Sequence, residues 1–153
     1  MVRYRSILSI ILAIVATFLV SCGGPTTATV PQTYTTAQVE QIQEYVPGIL
    51  SLRDRMQEIP SMIQRRDWIA VSNFIHGPMA ELRLKMTYVT RNLLPKDQQG
   101  AREATRDLFD DLVQIKQAAQ QGDAKKAVLN YREASAKLDN FLKYVPQANT
   151  QAG

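Results

Sequence analysis

The sequence is poor in the residues that cross-links and metal sites require. Its 153 residues contain one cysteine and one histidine, which excludes an intramolecular disulfide framework and a site with several histidine ligands. Glycine and proline number seven each, too few for a collagen-like or low-complexity chain. Beyond residue 35, no stretch alternates apolar and polar side chains with a period of two, which disfavours β-strands. Hydrophobic residues nevertheless make up 45% of the chain, so it can bury a core.

The charge is too small and too dispersed for a nucleic-acid-binding protein. The formal net charge is +4, and it falls to +2 if an acid-free leader carrying two arginines is removed. The remaining basic residues form separated doublets instead of a run interleaved with aromatic residues. The doublets are Arg53 and Arg55, Arg65 and Arg66, Arg83 and Lys85, and Lys125 and Lys126. We interpret them as solvated surface charges, with salt-bridging contacts to an acidic protein partner as the alternative.

Residues 1–21 have the pattern of an export signal that is removed. Two arginines precede an apolar run over residues 7–20, which is shorter than the roughly 20 residues that a bilayer-spanning helix needs. The run ends in Leu-Val-Ser-Cys, which resembles the bacterial lipobox and predicts cleavage between Ser21 and Cys22. Cys22 would then carry a diacylglycerol and an N-acyl lipid such as palmitate. The alternatives are an ordinary cleaved signal, in which Cys22 has no role, and a transmembrane anchor.

Residues 22–34 are predicted to form a flexible tether behind the lipid. After Cys22 the segment is rich in glycine, proline and threonine and has no charged side chain, so it cannot bury enough apolar surface to fold. Twelve such residues span about 20 Å as a flexible coil. Each buried acyl methylene contributes about 0.8 kcal/mol to membrane binding, so two or three chains hold a protein stably on a bilayer. The sequence therefore predicts a domain anchored outside the cytoplasm.

Four stripes of apolar side chains at helical spacing occupy residues 35–146. Thr35 and Gln38 match a capping box at the first helix, and Pro60 is predicted to end it. Gly122 is predicted to cap the third helix and Asp123 to begin the fourth. The stripes comprise Val39, Ile42, Val46, Ile49, Leu52 and Met56; Trp68, Val71, Ile75, Met79, Leu82, Met86, Val89 and Leu93; Ala101, Ala104, Leu108, Leu112, Ile115 and Ala119; and Ala124, Ala127, Tyr131, Ala134, Leu138, Phe141 and Val145.

Short connections between the stripes predict antiparallel neighbours and therefore an all-α, up-down-up-down four-helix bundle. Ser61 and Gln64 could cap an early start of the second helix. Pro47 is expected to bend its helix without ending it, whereas the segment around Pro78 allows either a kinked helix or two separate pieces. Residues 147–153 are predicted to be a frayed tail.

The residues do not predict an enzyme or a specific metal site. Without a Glu-x-x-His pair, a di-metal bundle site is excluded. Haem ligation by His76 and a methionine is an alternative, disfavoured because His76 directly precedes Gly-Pro. Acidic residues on the third helix predict a solvated face, with a weakly bound surface cation such as calcium as the alternative. These acids are Glu103, Asp107, Asp110 and Asp111. Motifs for a nucleophile or a phosphate-binding loop are missing from the sequence.

Several segments resemble the PsbQ family, specifically its lipid-anchored cyanobacterial form. The most specific is the stretch from Trp68 to His76-Gly77-Pro78, followed by Leu93-Leu94-Pro95. Later matches are Ala118-Ala119, Tyr131, Asp139-Asn140-Phe141 and Tyr144-Val145-Pro146. The resemblance covers residues 35–146, and a lipobox ahead of such a domain fits the cyanobacterial members. It implies a four-helix bundle without catalytic residues.

The resemblance also implies a location and partners. Family members are extrinsic subunits on the lumenal face of photosystem II at the thylakoid membrane, where they stabilise the complex and support oxygen evolution. They contact the manganese-stabilising extrinsic protein and a chlorophyll-binding core-antenna subunit. We expect Trp68, His76, Arg83 and Lys85 to contribute to docking. The alternative function is a periplasmic helical lipoprotein that binds a small ligand or acts as a holdase.

Overall fold

The computed structural model describes residues 33–147, and this part of the chain forms α-helices joined by turns, without β-strands. Six helical segments lie within it. They are α1 (Thr36–Met56), α2 (Ile59–Gln64), α3 (Trp68–His76), α4 (Pro78–Asn92), α5 (Pro95–Gln121) and α6 (Ala124–Leu142). Helices α1 and α2 form the first arm of a bundle, α3 and α4 the second, and α5 and α6 the third and fourth. The predicted all-α four-helix bundle is confirmed.

Neighbouring arms run antiparallel and close into a ring. Helix α1 packs on α4, α3 packs on α5, and α5 and α6 share the most extensive interface. The fourth arm closes on the first, because the Gln43 side-chain amide donates a hydrogen bond to the carbonyl oxygen of Pro146 at 2.7 Å. Further along the same pair, Arg53 and Asp139 form an ion pair at 2.9 Å. The first arm therefore runs opposite to the fourth.

The predicted helix caps on three elements are confirmed. At the start of α1, the Thr35 hydroxyl accepts from the Gln38 backbone and the Gln38 side chain accepts from the Thr35 backbone. Gly122 ends α5 with a φ of 69°, a left-handed conformation in which a side chain would be strained. Asp123 then accepts from the Lys126 backbone N–H at 2.9 Å and begins α6.

One predicted helix end is wrong, and the optional early start of the second helix at Ser61 is not observed. Helix α1 ends at Met56, before Pro60, and Pro60 lies in the first turn of α2 instead. A proline suits that turn because its missing N–H would have no partner in the helix anyway. Ser61 lies inside α2 and caps nothing, since its hydroxyl donates back to the carbonyl of Glu58. Asp67 caps α3 by accepting from the backbone N–H of Ala70 at 3.0 Å.

The prolines in the first two arms have different consequences. Helix α1 continues through Pro47, as predicted. In the second arm, α3 ends at His76, and Gly77 has φ −92° and ψ −91°, outside the helical region. Helix α4 then begins with Pro78 at its first position. Of the two arrangements left open by the sequence, the structure has two helical pieces.

The predicted stripes face the interior of the bundle. Five of the six residues in the first stripe are buried, Val46 being partly exposed, and all six of the third are buried. Full burial of a valine, leucine, isoleucine, methionine or phenylalanine side chain contributes about 1.5–3 kcal/mol to the stability of the folded state. Phe74 and Phe109 are also buried, although neither belongs to a predicted stripe. The largest side chains that are fully buried include Phe141, Ile42, Ile49, Met56, Met79, Leu82, Met86, Leu108 and Leu112.

Candidate docking surfaces

The predicted lipid site lies outside the residues that the structure describes. Ser21 and Cys22 precede residue 33, as do the whole predicted leader and most of the tether, and residues 148–153 of the predicted tail follow the last described residue. From residue 33 to residue 147, no helix combines the length and the apolar character that a membrane crossing requires. Lipidation of Cys22 stays a prediction from the sequence.

Tyr34 attaches the first described residues to one end of the bundle. Its hydroxyl accepts from the backbone N–H of Leu94 at 3.3 Å and donates to the Asp97 carboxylate at 3.5 Å. Burial raises the pKa of Tyr34, and the charge and hydrogen bond of Asp97 act in the same direction, while the Leu94 amide opposes them. Although the sequence assigns Tyr34 to the tether, its ring packs against the core. The chain therefore enters the bundle beside the α4–α5 turn.

Trp68 lies at the start of α3 and is partly buried against the core. It lines a shallow cavity of about 250 Å³ together with residues of α5, among them Lys116 and Ala119. The adjacent Ile69 lines the same cavity and is 76% exposed. The sequence did not indicate Ile69 as a docking residue, because it falls outside the apolar stripe of its arm. The two side chains give this end of α3 an exposed apolar contact surface.

His76 is the last residue of α3 and is exposed to solvent. The exposed ring does not enter the bundle interior, where an axial haem ligand would have to lie. This geometry gives no support to the haem alternative.

Arg83 and Lys85 lie on different flanks of α4. The Arg83 guanidinium is 4.2 Å from the centroid of the Phe109 ring on α5. The Lys85 ammonium is 3.2 Å from the Glu81 carboxylate, and its methylene stem lies over Gly48 of α1. Two residues along a helix are about 200° apart, which accounts for the divergence. The structure therefore does not bring Arg83 and Lys85 together into one patch.

A groove that the sequence did not predict runs between α4 and α5, with a volume of about 570 Å³. We call it the arginine groove, because α4 contributes Arg83 and Arg91 and α5 contributes Arg102 and Arg106. The remaining lining residues are Thr87, Thr90, Thr105 and Asp110. Spacings of eight and four residues place each arginine pair on one helix face. Only the packing of α4 on α5 shows that the two faces meet.

The threonines of the groove use their hydroxyl hydrogens within their own helices. Thr87 donates to the carbonyl of Arg83 at 2.8 Å. Thr90 and Thr105 donate in the same way to the carbonyls four residues earlier, at 2.7 Å and 2.8 Å. The hydrogen-bond donors that the groove offers to a ligand therefore come from the guanidinium groups.

The predicted acidic residues of α5 have separate environments. Glu103 accepts from the Gln99 side chain at 3.0 Å, Asp107 pairs with Arg106 at 3.0 Å, and Asp110 lines the arginine groove. In the described part of the chain, no three His, Cys, Asp or Glu side chains are grouped so that they could hold a metal ion. The geometry therefore does not support the predicted alternative of a surface cation at these acids.

Asp111 is partly buried and interacts with the charges of Lys137 and Glu133 on α6. Its Oδ2 atom is buried and has no hydrogen-bond partner. Burial raises the pKa of this carboxyl, and the charges of Glu133, Asp107 and Asp110 raise it further, whereas Lys137 lowers it. The carboxylate form is therefore disfavoured at this position compared with an exposed aspartate.

Comparison with known proteins assigns the chain to a family. The family described as PsbQ, oxygen evolving enhancer protein 3, matches residues 3–146. The chain is also similar to CyanoQ from Synechocystis sp. (strain PCC 6803), with 38% identity over 150 residues. This alignment covers 97% of the chain and the full length of CyanoQ. The family match extends over all six helices and over the leader and tether.

Proposed function

Because the chain belongs to the PsbQ family, we propose that it is a non-catalytic extrinsic subunit of photosystem II that stabilises the complex and supports oxygen evolution. The observation that carries this proposal is the family match over residues 3–146, from a family described as an oxygen evolving enhancer. The four-helix bundle agrees with it. CyanoQ is matched over its whole length, so the similarity is not confined to one motif.

A binding role suits the chemistry of the described surfaces better than catalysis. The arginine groove presents guanidinium groups, which donate hydrogen bonds and do not serve as general bases. Its threonine hydroxyls donate to helix carbonyls and are not activated by a neighbouring base. Such a surface recognises a partner without transforming it.

We propose that a diacylglycerol and an N-acyl chain on Cys22 hold the protein on the lumenal side of the thylakoid membrane. The lipobox pattern ending at Cys22 and the uncharged tether after it support this proposal. Confinement to the membrane plane raises the effective concentration of the bundle near a membrane-embedded complex. A modest polar interface is then sufficient for stable association.

The proposed partners are the manganese-stabilising extrinsic protein and a chlorophyll-binding core-antenna subunit on the lumenal face. Trp68 and the exposed Ile69 offer one apolar contact for them. Arg83 offers a cationic contact on the flank toward α5, while His76 is exposed at the end of α3. Lys85 lies on the other flank of α4 and is proposed as a separate contact. The docking surface thus comprises several small patches.

Co-purification from thylakoid membranes tests the proposed function. A tagged full-length chain should be recovered with photosystem II particles that evolve oxygen, and its deletion should lower their rate of oxygen evolution. The Cys22→Ser variant should leave the membrane fraction and lose the mass of the lipid while the domain still folds. Recovery of the unaltered chain without photosystem II subunits would instead favour the ligand-binding or holdase lipoprotein.

A further inference from the structure

We propose that the arginine groove binds an acidic segment of a protein partner through the carboxylates of that segment. The inference rests on the proposed function, because the partner is taken to be a lumenal subunit of photosystem II. It goes beyond that function by naming the surface and the chemistry of the segment it accepts.

The groove has the dimensions of a binding site for several side chains. Its volume of about 570 Å³ lies within the range of about 300–1,000 Å³ that is usual for ligand pockets. It is open along two antiparallel helices, with Arg83 and Arg91 on one rim and Arg102 and Arg106 on the other. An extended chain can therefore lie along the groove and meet guanidinium groups from both sides.

The ligand has to supply hydrogen-bond acceptors. The three threonine hydroxyls that line the groove already donate within their helices, so the arginines provide the donors. A guanidinium group presents its N–H groups as a planar fork that matches the two oxygens of a carboxylate. Aspartate and glutamate side chains are the groups in a protein partner that fit this requirement.

The charge balance of the groove favours an acidic segment with more than one carboxylate. Four arginines line it and Asp110 is the one acid among its lining residues. Arg106 is paired with Asp107 at 3.0 Å. Among residues 33–147, no carboxylate lies within ion-pair distance of Arg83, Arg91 or Arg102. Added carboxylates would offset the repulsion among these cations.

Aromatic rings support two of the guanidinium groups. Arg83 stacks over Phe109, a ring buried in the bundle, with 4.2 Å between the guanidinium carbon and the ring centroid. Arg91 lies 5.9 Å from the centroid of the Tyr88 ring. Stacking engages the flat face of a guanidinium group and leaves its N–H edges for a ligand. Because stacking already restricts these arginine side chains in the free protein, less conformational entropy is lost when a ligand binds.

The recessed shape favours a protein segment over a membrane surface. A protruding chain can enter a groove between two helices, whereas a flat layer of lipid headgroups contacts the ridges on either side of it. The exposed Arg91 and Arg102 lie near the α4–α5 turn, where Tyr34 attaches the chain to the bundle. Because the predicted tether leads from this end of the bundle to the membrane, the experiment also has to detect binding of the groove to a lipid headgroup.

The test compares a charge reversal in the groove with a matched reversal elsewhere. Full-length protein carrying Arg91→Glu and Arg102→Glu is measured against a control with Lys125→Glu and Lys126→Glu in the first turn of α6. Both variants change the net charge equally at exposed positions, and circular dichroism checks that each one folds. The probes are photosystem II particles stripped of the native subunit, a poly-glutamate peptide, and vesicles of phosphatidylglycerol in phosphatidylcholine.

The groove variant should bind the particles and the poly-glutamate peptide at least about tenfold more weakly than the unaltered chain, while the control changes little. Equal binding of the groove variant and the control to the particles would overturn the inference and leave the proposed function intact. A loss confined to the vesicles would overturn it in favour of a lipid headgroup. If the unaltered chain does not bind the particles, both the proposed function and this inference are wrong.

Discussion

The two flanks of α4 show how one helix builds a closed seam on one side and an open one on the other. Toward α1, the Tyr45 and Tyr88 rings stack with centroids 5.1 Å apart and an interplanar angle of 18°. The stem of Lys85 covers Gly48 on the same side. Toward α5, Arg83 and Arg91 border a groove of about 570 Å³. The seam toward α1 is filled by side chains, and the other leaves room for a ligand.

The comparison teaches that basic residues two positions apart can have unrelated roles. Lys85 contributes its methylene stem to packing and keeps its ammonium group near Glu81. Arg83 places its guanidinium group over the Phe109 ring and lines the arginine groove. A count of surface charges does not distinguish these cases. The neighbouring helix decides which part of each side chain is used.

The largest loss of stability is expected from truncating a side chain on the buried face of α4, which lies between its two flanks. Leu82 is fully buried, so Leu82→Ala should lower the free energy of unfolding by about 2–5 kcal/mol through lost burial and a residual cavity. Urea unfolding followed by circular dichroism measures the change. Leu84→Ala is the matched control, because Leu84 is 55% exposed and its loss should cost less than about 0.5 kcal/mol. Similar losses for the two variants would contradict the described core.

The closed seam can be opened by removing one ring of its stack. Tyr45→Ala should lower the free energy of unfolding by about 1.5 kcal/mol, since it removes the contact with Tyr88 and the area that the ring covers. Tyr45→Phe keeps the ring and should change stability much less. Poly-glutamate binding should change little in both variants, because Tyr45 does not line the arginine groove and Tyr88, the ring near Arg91, is kept. A weaker affinity of Tyr45→Ala for the peptide would show that the two seams are coupled.

Asp111 provides a pH test on the α5–α6 side, away from both seams of α4. Burial raises the pKa of its carboxyl, so the folded protein takes up this proton more readily than the unfolded chain. The penalty from the ionised, unpartnered group is therefore present near neutral pH and is lost as the pH falls through the raised pKa. Asp111→Asn should increase the free energy of unfolding at neutral pH by roughly 1 kcal/mol.

Thermal unfolding of Asp111→Asn and the unaltered chain across a pH series measures this difference. The two stability curves should converge on the acidic side of the raised pKa. Asp110→Asn is the matched control, because Asp110 is exposed and lines the groove instead of the α5–α6 interface. A constant difference between Asp111→Asn and the unaltered chain at every pH would contradict the claim that ionised Asp111 destabilises the fold.

The smallest effect is expected from the open seam. Arg83→Met keeps most of the side-chain volume and removes the cation over Phe109, at a cost of about 0.5 kcal/mol in the free energy of unfolding. The same substitution should weaken poly-glutamate binding by a larger free energy than it takes from stability, because the lost charge lines the groove. Differential scanning calorimetry gives the first quantity and peptide titration the second. A large stability loss with unchanged peptide affinity would make Arg83 a packing residue like Lys85.

Local interactions were predictable from the sequence. The Thr35–Gln38 capping box, the left-handed Gly122 and the Asp123 cap each depend on residues within one turn of chain, so their spacing carries the information. The apolar stripes likewise predicted the core, because burial in a bundle follows helical periodicity. Pro60 was misassigned because proline is common both just after a helix and in the first turn of one.

The arginine groove could not be predicted from the sequence, although each of its arginines can be read there. Arg83 and Arg102 are far apart in the sequence, and their proximity depends on how α4 is rotated against α5. Sequence spacing fixes which residues share a helix face but leaves that rotation open. The docking residues chosen from the sequence were likewise selected along one arm, so the contributions of α5 were missed. The lipid site at Cys22 lies outside residues 33–147 and stays a prediction.

The attachment of Tyr34 beside the α4–α5 turn has a practical consequence for probes. Tyr144 and Pro146 lie at the same end, since Tyr144 packs against Gly100 near the start of α5 and Pro146 accepts from Gln43. Helix α5 has 27 residues and is therefore about 40 Å long. A fluorophore at residue 121, the exposed last residue of α5, would report from the far pole, and a second one at residue 147 from the near pole. If the proposed lipid on Cys22 anchors the protein, energy transfer from each fluorophore to an acceptor dye in the bilayer would give the tilt of the bundle on the membrane.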